Sequence, residues 1–503
     1  MAEKKKSSFS LTPFSIILLL LVLVAIITLF VAGQPTGTQE ITTEVVKNVL
    51  VNGKLQDVTI EVAKDLTVTG ATFSMVLMSV VNGFSNAMEV IIFVFILGGF
   101  LGLVAHSGAL ETGIAVLVKK LKGHELIIIP VLMLVFSICG STYGMLEESV
   151  GFYALLSGTM VAAGMDTIVG SAVVLLGAGS GVLGSTVNPF AVGAAMDAAK
   201  GAGIEVNSAT MMGIGAVLWV LAYAISVFFV LMYAKKVKAD KGSTLLSLQE
   251  QEAMMAEYGN KEAGEEVKLT GRQKAILVIF ALTFIIMITM FIPWFAWDLT
   301  PTWTAWLYGA AFGDTYMLEA ATHFLLMGII IGIIDMAGRE KHAEKKIVDT
   351  FIAGCTDMMS VCLVIAVSRG VSVLMADTHF SDWLVTTAGN GLKSLPEAVF
   401  TPLNYLFHIV LSVLVPSSSG IAALSGGIMA PIASGAGFSV EVALMTMVAA
   451  NGVVNLITPT CGAIMGGLAL AKVDYSTWVK FAAKIVGVIA LASMALLTIW
   501  TLF

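Results

Sequence analysis

The sequence predicts an all-α polytopic membrane protein built from two inverted repeats, each with a re-entrant hairpin and a broken helix, plus a small extracytoplasmic β-hairpin segment. Three observations lead there. The 503 residues are 57% hydrophobic and 12% charged, with a mean hydropathy of +0.93, far outside the usage of soluble domains. Polar knots with Pro and Gly interrupt apolar runs, as in "VPSSSGIAALSGG" at 415–427. These knots also recur, in the same order, in both halves of the chain.

The composition excludes some classes. The net charge of −7 is spread over loops of both signs and points to neither nucleic acid nor an acidic ligand. Cys139, Cys355, Cys362 and Cys461 show no CxxC pair and no metal-ligand spacing, so they read as packing residues and no metal site is expected. The histidines fall at predicted helix ends or alone in apolar runs and read as packing groups.

Residues 11–32 follow Lys4, Lys5 and Lys6. The run is longer than the 7 to 15 residues of a signal-peptide core and spans the roughly 30 Å hydrocarbon layer, so it predicts an anchor with its N-terminus inside. Residues 34–85 form an outer segment, in which "NVLVNGKLQDVTIEV" predicts a β-hairpin turning at Asn52-Gly53. Lysine placement then orients the spans: 86–105 runs inward toward Lys119, Lys120 and Lys122, and 209–234 also ends inside, at Lys235, Lys236 and Lys238. Residues 235–273 form a cytoplasmic linker whose "SLQEQEAMMAEYG" makes at most a short solvated helix. Next, 275–295 runs outward to an aromatic belt with Trp294, Trp297, Trp303 and Trp306; 320–336 returns to Arg339, and 477–501 ends outside. The expected units are an anchor (1–33), the outer segment (34–85), a first transport repeat (86–234), the linker (235–273), scaffold helices (274–346) and a second, inverted repeat (347–503).

The repeats rest on three matches. "GGFLGLVAHSGALETG" (98–113) aligns with "RGVSVLMADTHFSDWL" (369–384), and "CGSTYGMLEESVGFYALLSG" (139–158) with "VPSSSGIAALSGGIMAPIAS" (415–434). A Pro-containing knot follows each hydroxyl cluster: "GSTVNPF" (184–190) and "NLITPTCG" (455–462). Five predicted crossings separate the two copies; the odd number gives them opposite orientation, the pattern of secondary transporters with interrupted helices. In hydrocarbon an unpaired backbone group costs several kcal/mol, so irregular backbone at that depth must line a covered or wet cavity. Residues 125–165 and 400–436 therefore read as hairpins whose tips meet broken helices.

Candidate binding residues follow. Ser141, Thr142, Ser417, Ser418, Ser419 and Thr460 contact a carboxylate or cation, while Asn188 and Thr458 brace the breaks beside Pro189 and Pro459. Glu147 and Glu148 lie in an apolar context where a charge is expensive, so they face a cavity and receive a cationic group or a proton, unless they lie shallow enough to snorkel. Arg369 is the candidate charge partner in the second half. Gly98-x-x-x-Gly102 and Gly177-x-x-x-Gly181 read as close-packing motifs. An intramembrane hydrolase or a channel ranks lower, because the hydroxyl cluster is duplicated and no HExxH or equivalent base accompanies it.

The blocks "GMLEESVGFY", "LLGAGSGVLGSTVNPFAVG", "VPSSSGIAALSGGIMAPIA" and "NLITPTCGAIMGGLALAKVDYSTWVKF" resemble the YfcC-type group of the four-carbon dicarboxylate anaerobic carriers, from about residue 72 onward. The resemblance implies the ion-transporter superfamily fold, often with a dimerising scaffold and elevator-like access. It also implies a multi-pass inner (plasma) membrane antiporter with a small-molecule substrate, the bilayer and a second copy as partners. Small carboxylate-bearing metabolites are the expected cargo, foremost amino acids including basic ones of the arginine/ornithine type; the alternative is a four-carbon dicarboxylate coupled to H+ or Na+. Sodium-dicarboxylate relatives carry Ser-Asn-Thr at the hairpin tips. Here Gly140-Ser141-Thr142 and Ser417-Ser418-Ser419 lack the Asn, which leaves carboxylate binding in place and Na+ coupling open.

Overall fold

The computed structural model describes residues 13–51, 54–110, 112, 113, 116, 125–259, 269–291, 294, 301–313, 315 and 317–502. Among these residues nine helices are long and apolar enough to cross a membrane, and the chain is an all-helical polytopic membrane protein carrying one two-stranded ribbon.

Helix α1 (Pro13–Val31) is the N-terminal apolar run. Strands β1 (Pro35–Val51) and β2 (Lys54–Thr67) pair antiparallel with Val51 opposite Lys54; the Asn52-Gly53 turn lies outside the described residues. The chain after β2 is held by a hydrogen bond from the Thr69 N–H to the Thr378 carbonyl (2.9 Å). Where the sequence predicts an outer segment up to residue 85, a helix, α2 (Phe73–Asn86), begins instead. Thr72 caps it by accepting from the Met75 N–H, and Phe73, Leu77, Met78 and Val81 form an exposed apolar side suited to lipid. The helix is too short and too mixed in composition for hydropathy to reveal it.

Helix α2 turns at Ala87 into α3 (Met88–His106). The hairpin α4 (Ile128–Tyr143) and α5 (Phe152–Ala162) follows, then α6 (Thr167–Gly184), a break, and α7 (Ala194–Gly201). The long α8 (Ser208–Ala239), the linker helix α9 (Leu248–Tyr258), α10 (Gly271–Phe291) and α11 (Met317–Met336) lead to the second half. There α12 (Ala343–Asp357) turns at Met358 into α13 (Met359–Asp377), followed by α14 (Phe380–Leu392). A second hairpin, α15 (Glu397–Leu414) and α16 (Ser418–Ala436), precedes α17 (Val440–Val454), a break, α18 (Gly462–Leu470) and the last helix α19 (Tyr475–Trp500).

Small residues let these helices approach to backbone contact. The bent pairs run past each other, α2 beside α13 and α3 beside α12. A Cβ on Gly83 would fall 2.3 Å from the Ala366 carbonyl oxygen, and one on Gly354 2.3 Å from that of Gly98. All 18 residues of α6 are buried, and α17 is buried from Val442 to Val454. The two cross near their C-terminal ends, where a Cβ on Gly452 would lie 2.5 Å from Leu183 Cα. The Gly177-x-x-x-Gly181 motif does the same for α4 against α6: a Cβ on Gly181 would sit 2.0 Å from the Ser137 carbonyl oxygen. Such contacts supply the van der Waals packing that replaces a hydrophobic drive in lipid.

The linker differs from the expected solvated helix, because α9 is docked. Ser247 and Glu250 form a capping box, and the buried Glu250 carboxylate also accepts from the Asp474 N–H (2.9 Å) and the Thr477 hydroxyl (3.1 Å) at the start of α19. Upstream, Tyr233 and Thr244 each donate to Asp166 Oδ2 at 2.7 Å, and Asp166 caps α6 by accepting from the Val169 N–H. Burial raises the Asp166 carboxyl above its ordinary value, against the opposing effect of these donors. Its ionised form is therefore a cost to the folded state, relieved as pH falls through the raised pKa. Elsewhere, the buried Asp335 gathers Arg272, His106 (2.7 Å) and Arg339 (3.8 Å), tying the ends of α3, α10 and α11 together.

Gly181→Val is expected to cost about 1–3 kcal/mol by overpacking and to lower the melting temperature in detergent; unchanged melting would contradict the α4–α6 crossing. Asp166→Ala should release the 240–247 strap, read as faster limited proteolysis there, and should flatten the acid side of the stability–pH profile.

Candidate functional site

A cavity of about 100 Å³ lies where both hairpin tips, both helix breaks and α13 meet. The first tip forms because Gly144, at φ +77, ends α4 in the left-handed conformation that glycine adopts without strain. The chain then makes a tight turn over Glu147–Gly151 before α5, and Gly144, Leu146 and Glu147 line the cavity. The first break follows Ser185, also left-handed at φ 43. Asn188 braces it: its amide donates to Ser185 Oγ (3.0 Å) and its Oδ1 accepts from the Phe190 N–H (2.9 Å).

The second tip is Pro416 followed by the serines. Pro416 has no N–H to satisfy, and its carbonyl accepts from the Asn455 amide (2.8 Å) and the Asn451 amide (3.3 Å). Ser417 caps α16 by accepting from the Gly420 N–H (3.2 Å), and Ser418 donates to Asn451 Oδ1 (2.9 Å). At the second break Thr460 donates to the Val413 carbonyl (2.8 Å), tying break to hairpin.

Of the residues the sequence singles out, Glu147, Asn188, Arg369, Ser417, Ser418, Ser419 and Thr460 line this one cavity. Ser141, Thr142 and Thr458 do not. Ser141 is fully buried and spends its hydroxyl on Thr186, sharing a hydrogen bond with Oγ1 (2.9 Å) and accepting from the Thr186 N–H (3.2 Å). Thr142 turns back to the Ile138 carbonyl (2.8 Å), and Thr458 is held by Thr460 Oγ1 (2.7 Å). In each case a nearby group within the same half competes for the hydroxyl, which a residue list cannot reveal. The Glu148 side chain lies outside what the structure describes.

Sequence reasoning missed Asn455 and Ser372, both on the cavity wall, and Asn451 behind it. Asn455 Oδ1 and Ser372 Oγ are buried without a hydrogen-bond partner, so each has an interaction left to make. A signal existed: Asn451 and Asn455 stand four apart, on one face at the C-terminal end of a predominantly apolar helix.

Both signs of charge reach the cavity. The N-terminal residues of α16 (Ser417 to Ser419) and α18 (Cys461, Gly462) line it, and helix N-termini favour anions through free N–H groups and the helix dipole. Arg369 adds a full positive charge, and among the described residues no carboxylate pairs with it. Glu147 supplies the negative charge. Interrupted helices whose ends meet two hairpin tips around a small charged cavity define a membrane transporter. The chain belongs to the C4-dicarboxylate anaerobic carrier family, DcuC, whose model matches residues 12–502.

Two relatives stand at 28% identity. One is an uncharacterized protein of Haemophilus influenzae, aligned over 93% of this chain and 88% of its own. The other is the Escherichia coli protein named "Putative basic amino acid antiporter YfcC", aligned over 82% and 77%. Among solved structures, Neisseria gonorrhoeae MtrF, titled as one of a class of antimetabolite efflux pumps, is 17% identical with a TM-score of 0.45, covering 98% of this chain and 96% of its own. The Alcanivorax borkumensis YdaH transporter is 15% identical with a TM-score of 0.45, covering 97% and 98%.

Asn455→Ala leaves the Pro416 carbonyl short of its best donor and is expected to cost about 1–3 kcal/mol, seen as a lower melting temperature in detergent. Ser418→Ala should be milder, because Asn451 Oδ1 still accepts from the Asn455 amide (3.0 Å); the reverse ranking would contradict this network.

Proposed function

We propose that the protein is a secondary active transporter working as an antiporter of small carboxylate-bearing metabolites, foremost amino acids and among them basic ones of the arginine/ornithine type. One observation carries this reading: a guanidinium that pairs with no carboxylate among the described residues and a glutamate line the same small cavity, among helix N-termini. A ligand with a carboxylate at one end and an ammonium or guanidinium at the other satisfies both.

In this reading Arg369, the Ser417–Ser419 hydroxyls and the amides that open α16 and α18 hold the carboxylate. Glu147 receives the cationic end. Asn188 and Thr460 hold the breaks open, and Ser141, Thr142 and Thr458 act behind the wall. The two halves are inverted repeats in the plasma (inner) membrane, with the N-terminus cytoplasmic and a second copy as partner. H+ or Na+ is the coupling ion where exchange is not strict.

A second reading is a four-carbon dicarboxylate carrier. It is favoured by the family's description and by the concentration of positive ends on the cavity, with Arg369 and the helix N-termini taking two negative charges.

Counterflow in proteoliposomes loaded with arginine, ornithine, succinate or acetate, with and without Na+, separates the two. Glu147→Gln should cut exchange of basic amino acids roughly 10-fold or more, the size of a charge-assisted hydrogen bond of about 1.5–3 kcal/mol. Succinate exchange that is kept or improved in the same variant, with no arginine exchange in the wild type, would overturn the amino acid reading in favour of the dicarboxylate one.

A further inference from the structure

A second, larger cavity of about 720 Å³ adjoins the first, and the two share Arg369, Ser372 and Ser417 in their walls. It lies at the end of the molecule where the segment after the β-ribbon bonds to Thr378. Apart from Arg369 at the shared wall, its ionisable lining groups among the described residues are Asp377 and Asp382. Asp377 is exposed, and Asp382 Oδ2 stands 3.6 Å from His379 Nδ1. Positive and negative charge are therefore separated along one route. Arg369 and Asp377 lie eight residues apart on α13, about 12 Å of helix rise, with Ser372 between them. Ser372 lines both cavities and so marks the neck between them.

We infer that this vestibule is an entry site for dipolar and cationic amino acids, which it holds by their ammonium or guanidinium end at Asp377 and Asp382 while the carboxylate leads toward Ser372 and Arg369. The inference rests on the amino acid reading and deepens it, because it gives the substrate a direction of entry. A dianion meets the opposite field: its trailing carboxylate lies beside two carboxylates. Fields in concave, low-dielectric walls change local ion concentration by roughly 10- to 1,000-fold, and they weaken with ionic strength. The vestibule thus sorts substrates by charge before the inner cavity does.

Counterflow with the Asp377→Asn/Asp382→Asn variant tests it. The expected result is a several-fold rise in KM for arginine with kcat retained, a fall in KM for succinate, and a loss of the salt dependence of the arginine KM. Unchanged KM values for both would overturn the entry site and leave the inner-cavity reading standing. If the wild type exchanges succinate and not arginine, the amino acid reading itself fails and the entry site falls with it, an outcome distinct from unchanged KM values in a wild type that exchanges arginine.

A readout free of any substrate runs in parallel. Ala376, exposed in the vestibule wall, is replaced by Cys, and its modification by cationic and anionic methanethiosulfonates is timed against protein without that Cys. A cationic preference that drops several-fold in the Asn variant supports the inference; a ratio indifferent to both aspartates overturns it.

Discussion

Everything at the centre of this protein depends on one constraint: two helices, α6 and α17, are buried along nearly their whole length and stop inside the molecule. A helix end presents four carbonyls without intrahelical partners, and at membrane depth those groups need partners from the protein or from a wet cavity. The stops are tolerable because each is built with its own replacements. After α6, Ser185 turns left-handed and its N–H returns to the Gly181 carbonyl (2.8 Å). After α17, the Ile457 and Thr458 N–H groups both return to Val454 (3.0 and 2.8 Å). Asn188 completes the first break with an amide that donates to Ser185 Oγ and accepts from the Phe190 N–H, whereas the Asn455 amide donates to the Pro416 carbonyl and ties the second break to its hairpin. The polar cavity is the consequence, because residues that repair the irregular backbone, Asn188, Asn455 and Thr460, also line the space beside it.

The charges are placed by packing as much as by the breaks. Arg369 projects from α13, and α13 is fixed by its contact with α2, where the backbones of Gly83 and Gly370 approach closely. A side chain at either glycine would push α13 away and take the guanidinium with it. The helix that hydropathy missed, α2, is thus the one that positions the cavity's cation. On the opposite wall Glu147 stands at the first residue of a short helical turn whose position follows from Gly144. Each charge is held by a glycine-dependent contact, which explains why small residues surround the polar ones in the sequence.

That relation also sets what was legible. The class, the long spans, the helix interruptions near 144, 185, 416 and 458 and the paired strands could be read because hydropathy and Pro/Gly punctuation are local signals. Glu147 and Arg369 could be read because a charge in an apolar run is rare enough to demand a partner. Hydroxyls could not be ranked: Ser141 and Ser417 occupy matching positions in the two hairpins, yet one is consumed by Thr186 and the other lines the cavity. That difference comes from a residue 45 positions away. The docked linker was hidden for the same reason, since Glu250 looks like any solvated glutamate until the Asp474 and Thr477 groups are placed beside it.

The hydrogen bonds between tips and breaks are segregated in a way that bears on how such a cavity works. Ser141 bonds Thr186 within the first half, while Pro416, Ser418 and Val413 bond Asn451, Asn455 and Thr460 within the second. Between the halves the contact at the crossing is of another kind: Gly452 against Leu183, with no side chain interposed. Polar bonds in a low-dielectric interior are costly to break unless both partners are resatisfied at once, whereas a smooth apolar crossing slides without leaving a donor or acceptor bare. Each tip is therefore coupled by polar bonds to its own break, and the crossing of α6 and α17 between the two coupled units is made by apolar contact. A ligand that bridged Arg369 and Glu147 would span that crossing, while polar ties between the halves persist elsewhere, among them the Asn207 N–H to Glu441 Oε1 (2.9 Å) and the Cys355 thiol to the Phe95 carbonyl (3.1 Å).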